Sequence, residues 1–217
     1  MKPSRNSLRA TGDIPGVVLV ARITAALAAA VWFIGAPLVS LAGVPFPSDA
    51  QYFLIGAIAV LLGLTLAPVT LVIGRAMRGR MKKFVRLSGL AICTALIPSG
   101  VLLVLAADGR LGGRAPDWTT APAIICIAAL FLWVGLASFS FRGPSRIERG
   151  LFWVGLLTGA LVLVTLVASI LMFYFVRDFV YTNATVLPLF LVDLLLWLSL
   201  PVWLIALVIR LSERTGG

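Results

Sequence analysis

Few side chains in this sequence could do chemistry, and their scarcity is informative. The 217 residues include no His, two Cys and eight acids. Without an imidazole there is no His ligand for haem or zinc, no His general base, and no Ser-His or Cys-His nucleophile. Cys93 and Cys126 lie in separate apolar runs and form no CxxC pair. They are expected at different membrane depths, too far apart for a disulfide, and are read as free thiols. The only lysines, Lys2, Lys82 and Lys83, fall outside the apolar runs, so none can form a Schiff base within the membrane. Neither a cofactor nor a metal site is expected.

Asp193 is the one acid inside an apolar run, Phe190-Leu-Val-Asp-Leu-Leu-Leu-Trp197. A carboxylate within a span costs about 2.5–3.5 kcal/mol on insertion scales, so it normally faces protein or water and often marks a functional path. With no second carboxylate to share its proton, it cannot form an aspartyl dyad. At about 1.5 Å per residue it lies about 9 Å from one interface. The same count puts Ser99, Cys126 and Ser169 at comparable depth, with Ser40 a little shallower. Asp193, Ser99, Cys126, Ser169 and Ser40 are therefore the candidate intramembrane polar layer. The plain role for Asp193 is a hydrogen bond that fixes helix packing. The sharper roles are a substrate or ion site, or a contact with a partner subunit.

The apolar runs must position these residues. Hydrophobic residues make up 61% of the chain and charged ones 12%, against about half and a quarter in a soluble domain. The fold class is an all-α polytopic membrane protein, a single domain of about six transmembrane helices over residues 1–217. The expected spans are 23–43, 52–73, 87–107, 121–141, 151–176 and 187–209. Residues 1–13 form a basic tail, and the apolar run after it continues too far for a cleaved signal peptide. Residues 14–21 are read as an interfacial approach, with Arg22 snorkelling to the headgroups. Residues 108–117 and 142–149 are read as loops.

Orientation comes from the stretch Arg75–Arg86. Arg75, Arg78, Arg80, Lys82, Lys83 and Arg86 fall within twelve positions and are read as a basic loop. Lys and Arg concentrate in cytoplasmic loops. Placing this stretch inside gathers fifteen of the eighteen basic residues there and makes both termini cytoplasmic. The same six residues are the candidate contact for anionic lipid or a cytoplasmic partner. The net charge of +10 is thereby explained by topology and lipid, and nucleic acid is not an expected partner.

Two packing features follow. Gly155-Leu-Leu-Thr-Gly159 is a GxxxG that suits close helix approach inside the bundle, and the Ala25–Ala30 run suits it for the same reason. Pro68 and Pro201 interrupt their spans, and Pro98-Ser99-Gly100 reads as a break. Nearby hydroxyls such as Thr65 and Ser199 are expected to satisfy the backbone groups that the prolines release.

Function is read from three classes. The leading expectation is a non-catalytic membrane subunit or assembly protein that packs against other membrane subunits or a second copy of itself. The alternative is a small transporter with a kinked-helix cavity near Asp193. An enzyme acting on a lipid-soluble substrate comes last, because the reactive groups are missing. The bacterial cytoplasmic membrane is the expected location.

Overall fold

The computed structural model describes residues 15–42, 48–76, 80–111, 115–175 and 183–215. Within these, the side chains at 15, 75–76, 80, 115–118, 168–175, 183–191, 193 and 214–215 lie outside the description. Six α-helices follow one another: α1 (Pro15–Ala42), α2 (Asp49–Ala76), α3 (Arg80–Ala107), α4 (Ala115–Ser138), α5 (Arg146–Phe175) and α6 (Asn183–Thr215). A short 3₁₀ turn, Phe139–Phe141, closes α4. Among the described residues there is no strand. All six helices are long and apolar enough to cross a membrane. The chain is an integral, multi-pass membrane protein.

Each helix exceeds its expected span. At 28 residues, α1 is about 42 Å long against a hydrocarbon core of about 30 Å, so its ends reach the headgroup layers. Three expectations change accordingly. Residues 15–21 are not a separate approach: α1 runs unbroken through the half-buried Arg22, and Val18 and Ala21 already pack in the core. Of the stretch 75–86, residues 75–76 belong to the end of α2 and residues 80–86 to the start of α3, while 77–79 lie outside the described residues. Residues 146–149 form the first turn of α5, which Ser145 caps by accepting the Glu148 N–H at 3.1 Å.

The helices pack as a closed ring in chain order, with α6 returning to α1 and a smaller contact between α2 and α4 across it. One end of the ring carries Lys82, Lys83, Arg86, Arg142, Arg146, Arg149 and Arg210 and is called the basic end here. Small residues let the helices meet. Ala21, Ala25, Ala28 and Ala29 form the buried stripe of α1. Gly159 faces Gly135 of α4 so closely that a Cβ on it would lie 3.1 Å from the Gly135 Cα. The GxxxG of α5 thus packs inside the bundle.

In apolar surroundings a polar atom without a partner costs free energy, and tryptophan meets this constraint in a repeated way. The Trp133 indole donates from Nε1 to the Val85 carbonyl at 2.8 Å, lying over Gly89, where a Cβ would come within 2.6 Å of that nitrogen. Trp203 donates to the Leu151 carbonyl at 3.1 Å and to Ser138 Oγ at 3.0 Å. It lies over Gly155, whose Cβ position is 2.8 Å from its Nε1. In both cases the residue four positions after the acceptor is glycine. A helix carbonyl that already bonds within its helix has a second lone pair, and only a missing side chain leaves room to reach it. Trp133 and Trp203 then meet edge to face at 6.5 Å, and Phe141 packs on Trp203 at 6.1 Å.

The helices continue through their prolines, so Pro98-Ser99-Gly100 does not break α3. The hydroxyls expected to repair the proline sites bond elsewhere. Thr65 donates to Leu61 O and Ser199 to Leu196 O, whereas Pro68 and Pro201 free the carbonyls of Leu64 and Trp197. A repair does occur at a proline not singled out in the sequence. Pro37 leaves the Phe33 carbonyl without its helical donor, and Trp197 of α6 supplies one from Nε1 at 3.0 Å. The same two side chains stack at 5.0 Å, which closes the ring between α1 and α6.

Replacing Gly89 by Val should destabilise the protein by roughly 1–3 kcal/mol, because the new side chain must displace the Trp133 indole. In the Gly89→Val/Trp133→Phe double variant part of that loss should be recovered. Thermal unfolding in one detergent checks this, and strictly additive costs would contradict the contact.

Candidate ligand-binding cavity

Toward the basic end the ring is filled. Trp133, Trp203, Phe141, Leu200, Leu204 and Leu207 are buried there with Leu66, Val69 and Ile73 of α2. Toward the other end the described residues leave a partly open hollow. A cavity of about 750 Å³ lies among α1, α2, α4, α5 and α6, within the range of about 300–1,000 Å³ usual for small-molecule sites. The change from filled to hollow follows the sequence. Near the basic end Trp133, Trp203 and Phe141 meet one another, whereas around the cavity the small residues Ala36, Pro37, Ala128 and Val162 stand among the larger Trp32, Phe131 and Trp197.

The wall is almost wholly aliphatic and aromatic. Ile55 and Ile58 come from α2, Ile124, Ile127 and Phe131 from α4, and Leu194 and Leu196 from α6. Four lining residues carry polar side-chain atoms: Trp32, Ser40, Thr165 and Trp197. Ser40 donates to Ala36 O at 3.2 Å and Thr165 to Leu161 O at 2.9 Å, so both protons are committed and oxygen lone pairs remain. Trp197 is committed to Phe33 O. Trp32 differs. Its indole packs edge to face on Phe131 at 5.1 Å, and its Nε1 is buried without a hydrogen-bond partner among the described residues. Trp133, Trp197 and Trp203 have all found acceptors, so the unmet donor stands out.

The candidate polar layer divides. Ser99 and Cys126 meet across the α3–α4 interface at 3.6 Å between Oγ and Sγ, with Ser99 also donating to Ala95 O. Ser40 lies instead on the cavity wall. The side chains of Asp193 and Ser169 lie outside the described residues, although both positions are helical and Asp193 directly precedes the lining residue Leu194. Cys93 and Cys126 are free thiols. Of the basic candidates, Lys83 is exposed and Lys82 and Arg86 are half-buried. The side chains of Arg75, Arg78 and Arg80 lie outside the description. A cavity near Asp193 is part of the transporter alternative read from the sequence, but Trp32 is not among its candidate residues. Trp32, Ala36, Pro37 and Ser40 recur at helical spacing, yet such a stripe reads equally well as packing.

No protein family, curated protein or solved structure matches this chain.

The tryptophans give a direct test of these environments. Trp203→Phe removes the donor to Leu151 O and Ser138 Oγ deep in the packed half. Trp32→Phe removes a donor that has no partner among the described residues. Trp203→Phe should cost about 1–3 kcal/mol more than Trp32→Phe in thermal unfolding of the ligand-free protein. Equal costs would mean that the Trp32 N–H is satisfied.

Proposed function

We propose that this protein is a non-catalytic membrane protein that holds a lipid-soluble molecule in the hollow half of its helix ring. The apolar cavity of about 750 Å³ carries the reading. Its wall favours hydrocarbon or aromatic rings over a hydrated solute, and the Trp32 N–H, without a partner among the described residues, favours a ligand with one acceptor, such as a carbonyl or ester oxygen. The basic end faces the cytoplasm on this reading, in keeping with its excess of Lys and Arg. The cavity then lies in the outer half of a cytoplasmic membrane.

Two observations weigh this reading against the others. Passage through the ring would require opening the Trp133–Trp203–Phe141 cluster, so binding suits the geometry better than permeation. On the outer surface, the exposed hydroxyls of Thr24, Thr65 and Thr94 each donate to a carbonyl of their own helix. Such a surface is at ease in lipid without a partner subunit, although a complex built around the loaded cavity is compatible with it.

Fluorescence tests the reading. Dibromostearic acid methyl ester supplies both an acyl chain and an ester acceptor, and its bromines quench nearby indoles. It should quench the reconstituted protein saturably. Filling the cavity by Ala128→Phe together with Ala36→Phe should weaken that binding at least about tenfold while the protein stays folded. Unsaturable quenching, identical in the filled variant, would sink the proposal.

A further inference from the structure

A cluster of arginines lies at the α4–α5 corner of the basic end, away from the cavity. Arg142, Arg146 and Arg149 are all exposed there. The corner's one acid, Glu148, is already engaged. Its Oε1 accepts from Arg210 Nη2 at 2.5 Å, and the two side chains are only 14% and 22% exposed. Arg142, Arg146 and Arg149 have no carboxylate partner among the described residues. Arg210 is shared between Glu148 and Glu213, and the three arginines of this short corner are left without a direct ion pair among the described residues.

Arg142 is also held in place. Its guanidinium lies 4.6 Å from the Phe139 ring centroid and 5.2 Å from that of Phe152. Those two rings meet edge to face at 5.7 Å, and Phe152 continues onto Trp153 at 5.2 Å. A stacked guanidinium loses less freedom when it takes an anion than a free side chain would.

The corner leads into hydrocarbon. Arg146, Arg149 and Trp153 follow at i, i+3 and i+7 along one stripe of α5. Trp153 is 64% exposed, and the stripe continues through the exposed Leu157, Val164 and Val167. Tryptophan at that position marks headgroup depth. A cationic mouth, an indole belt and an aliphatic track in that order complement a phosphate-bearing headgroup with an acyl chain below it. We infer that the Arg142–Arg146–Arg149 corner binds an anionic phospholipid, with its phosphate on the arginines and an acyl chain along α5.

Native mass spectrometry of the delipidated full chain tests this, titrating dioleoylphosphatidylglycerol against dioleoylphosphatidylcholine. The anionic lipid should bind first and more tightly. At about fivefold per surface arginine, the Arg142→Gln/Arg146→Gln/Arg149→Gln variant should lose about a hundredfold in affinity. The matched variant Lys82→Gln/Lys83→Gln/Arg86→Gln has the same net charge and should lose less than about fivefold. Should the first triple variant fold poorly, Arg149→Gln alone should still lose about fivefold, and Phe152→Leu should weaken binding with every charge kept. Equal affinity for the two lipids, equal losses in the two triple variants, or displacement of the lipid by millimolar inorganic phosphate would overturn the assignment.

Discussion

The structure depends on one constraint, the cost of leaving a polar atom unpaired where there is no water. Backbone groups meet it by forming helices, and the indoles meet it by borrowing helix carbonyls. Trp133 and Trp203 reach carbonyls whose neighbour four residues on is Gly89 or Gly155. Trp197 reaches the carbonyl that Pro37 releases. These bonds tie α4 to α3, α6 to α5, and α6 to α1. They supply direction in a bundle whose other contacts between helices are mostly apolar.

The two halves of the ring then differ in character. Near the basic end the indoles are paired, and the space between helices is taken by rings and leucines. In the other half small residues such as Ala36 and Ala128 stand among the aromatics, a cavity opens, and Trp32 keeps a donor with no partner among the described residues. Close packing is the ordinary state of a protein interior. A hollow of this size beside an unmet polar atom is a departure that a ligand with one acceptor would correct.

Six helices were legible because a membrane span is a matter of length and hydropathy, which sequence states directly. Helix ends were less so. Residues 80–86 and 146–149 look like loop by charge but are helical, because long basic side chains on a helix end reach the headgroups without interrupting the backbone. Counting residues from an interface gives depth and says nothing of azimuth. Ser99 and Cys126 do meet, while Ser40 at similar depth turns to the cavity. The hydroxyls near Pro68 and Pro201 were matched to their prolines by proximity in sequence. The one repair observed comes from a residue far away in the chain, Trp197, which no local reading could supply.

The indole-to-carbonyl bonds have a consequence for descent. Each joins two positions that cannot drift separately: a side chain gained at Gly89 or Gly155 evicts its tryptophan, and an ordinary residue at Pro37 takes back the carbonyl that Trp197 uses. The pairs Gly89–Trp133, Gly155–Trp203 and Pro37–Trp197 are therefore expected to be inherited or lost together. Across the interchangeable Leu, Ile, Val and Ala of the spans, sequence comparison has little to hold. These three couplings form a fingerprint by which distant kin of this chain can be sought after overall resemblance has faded.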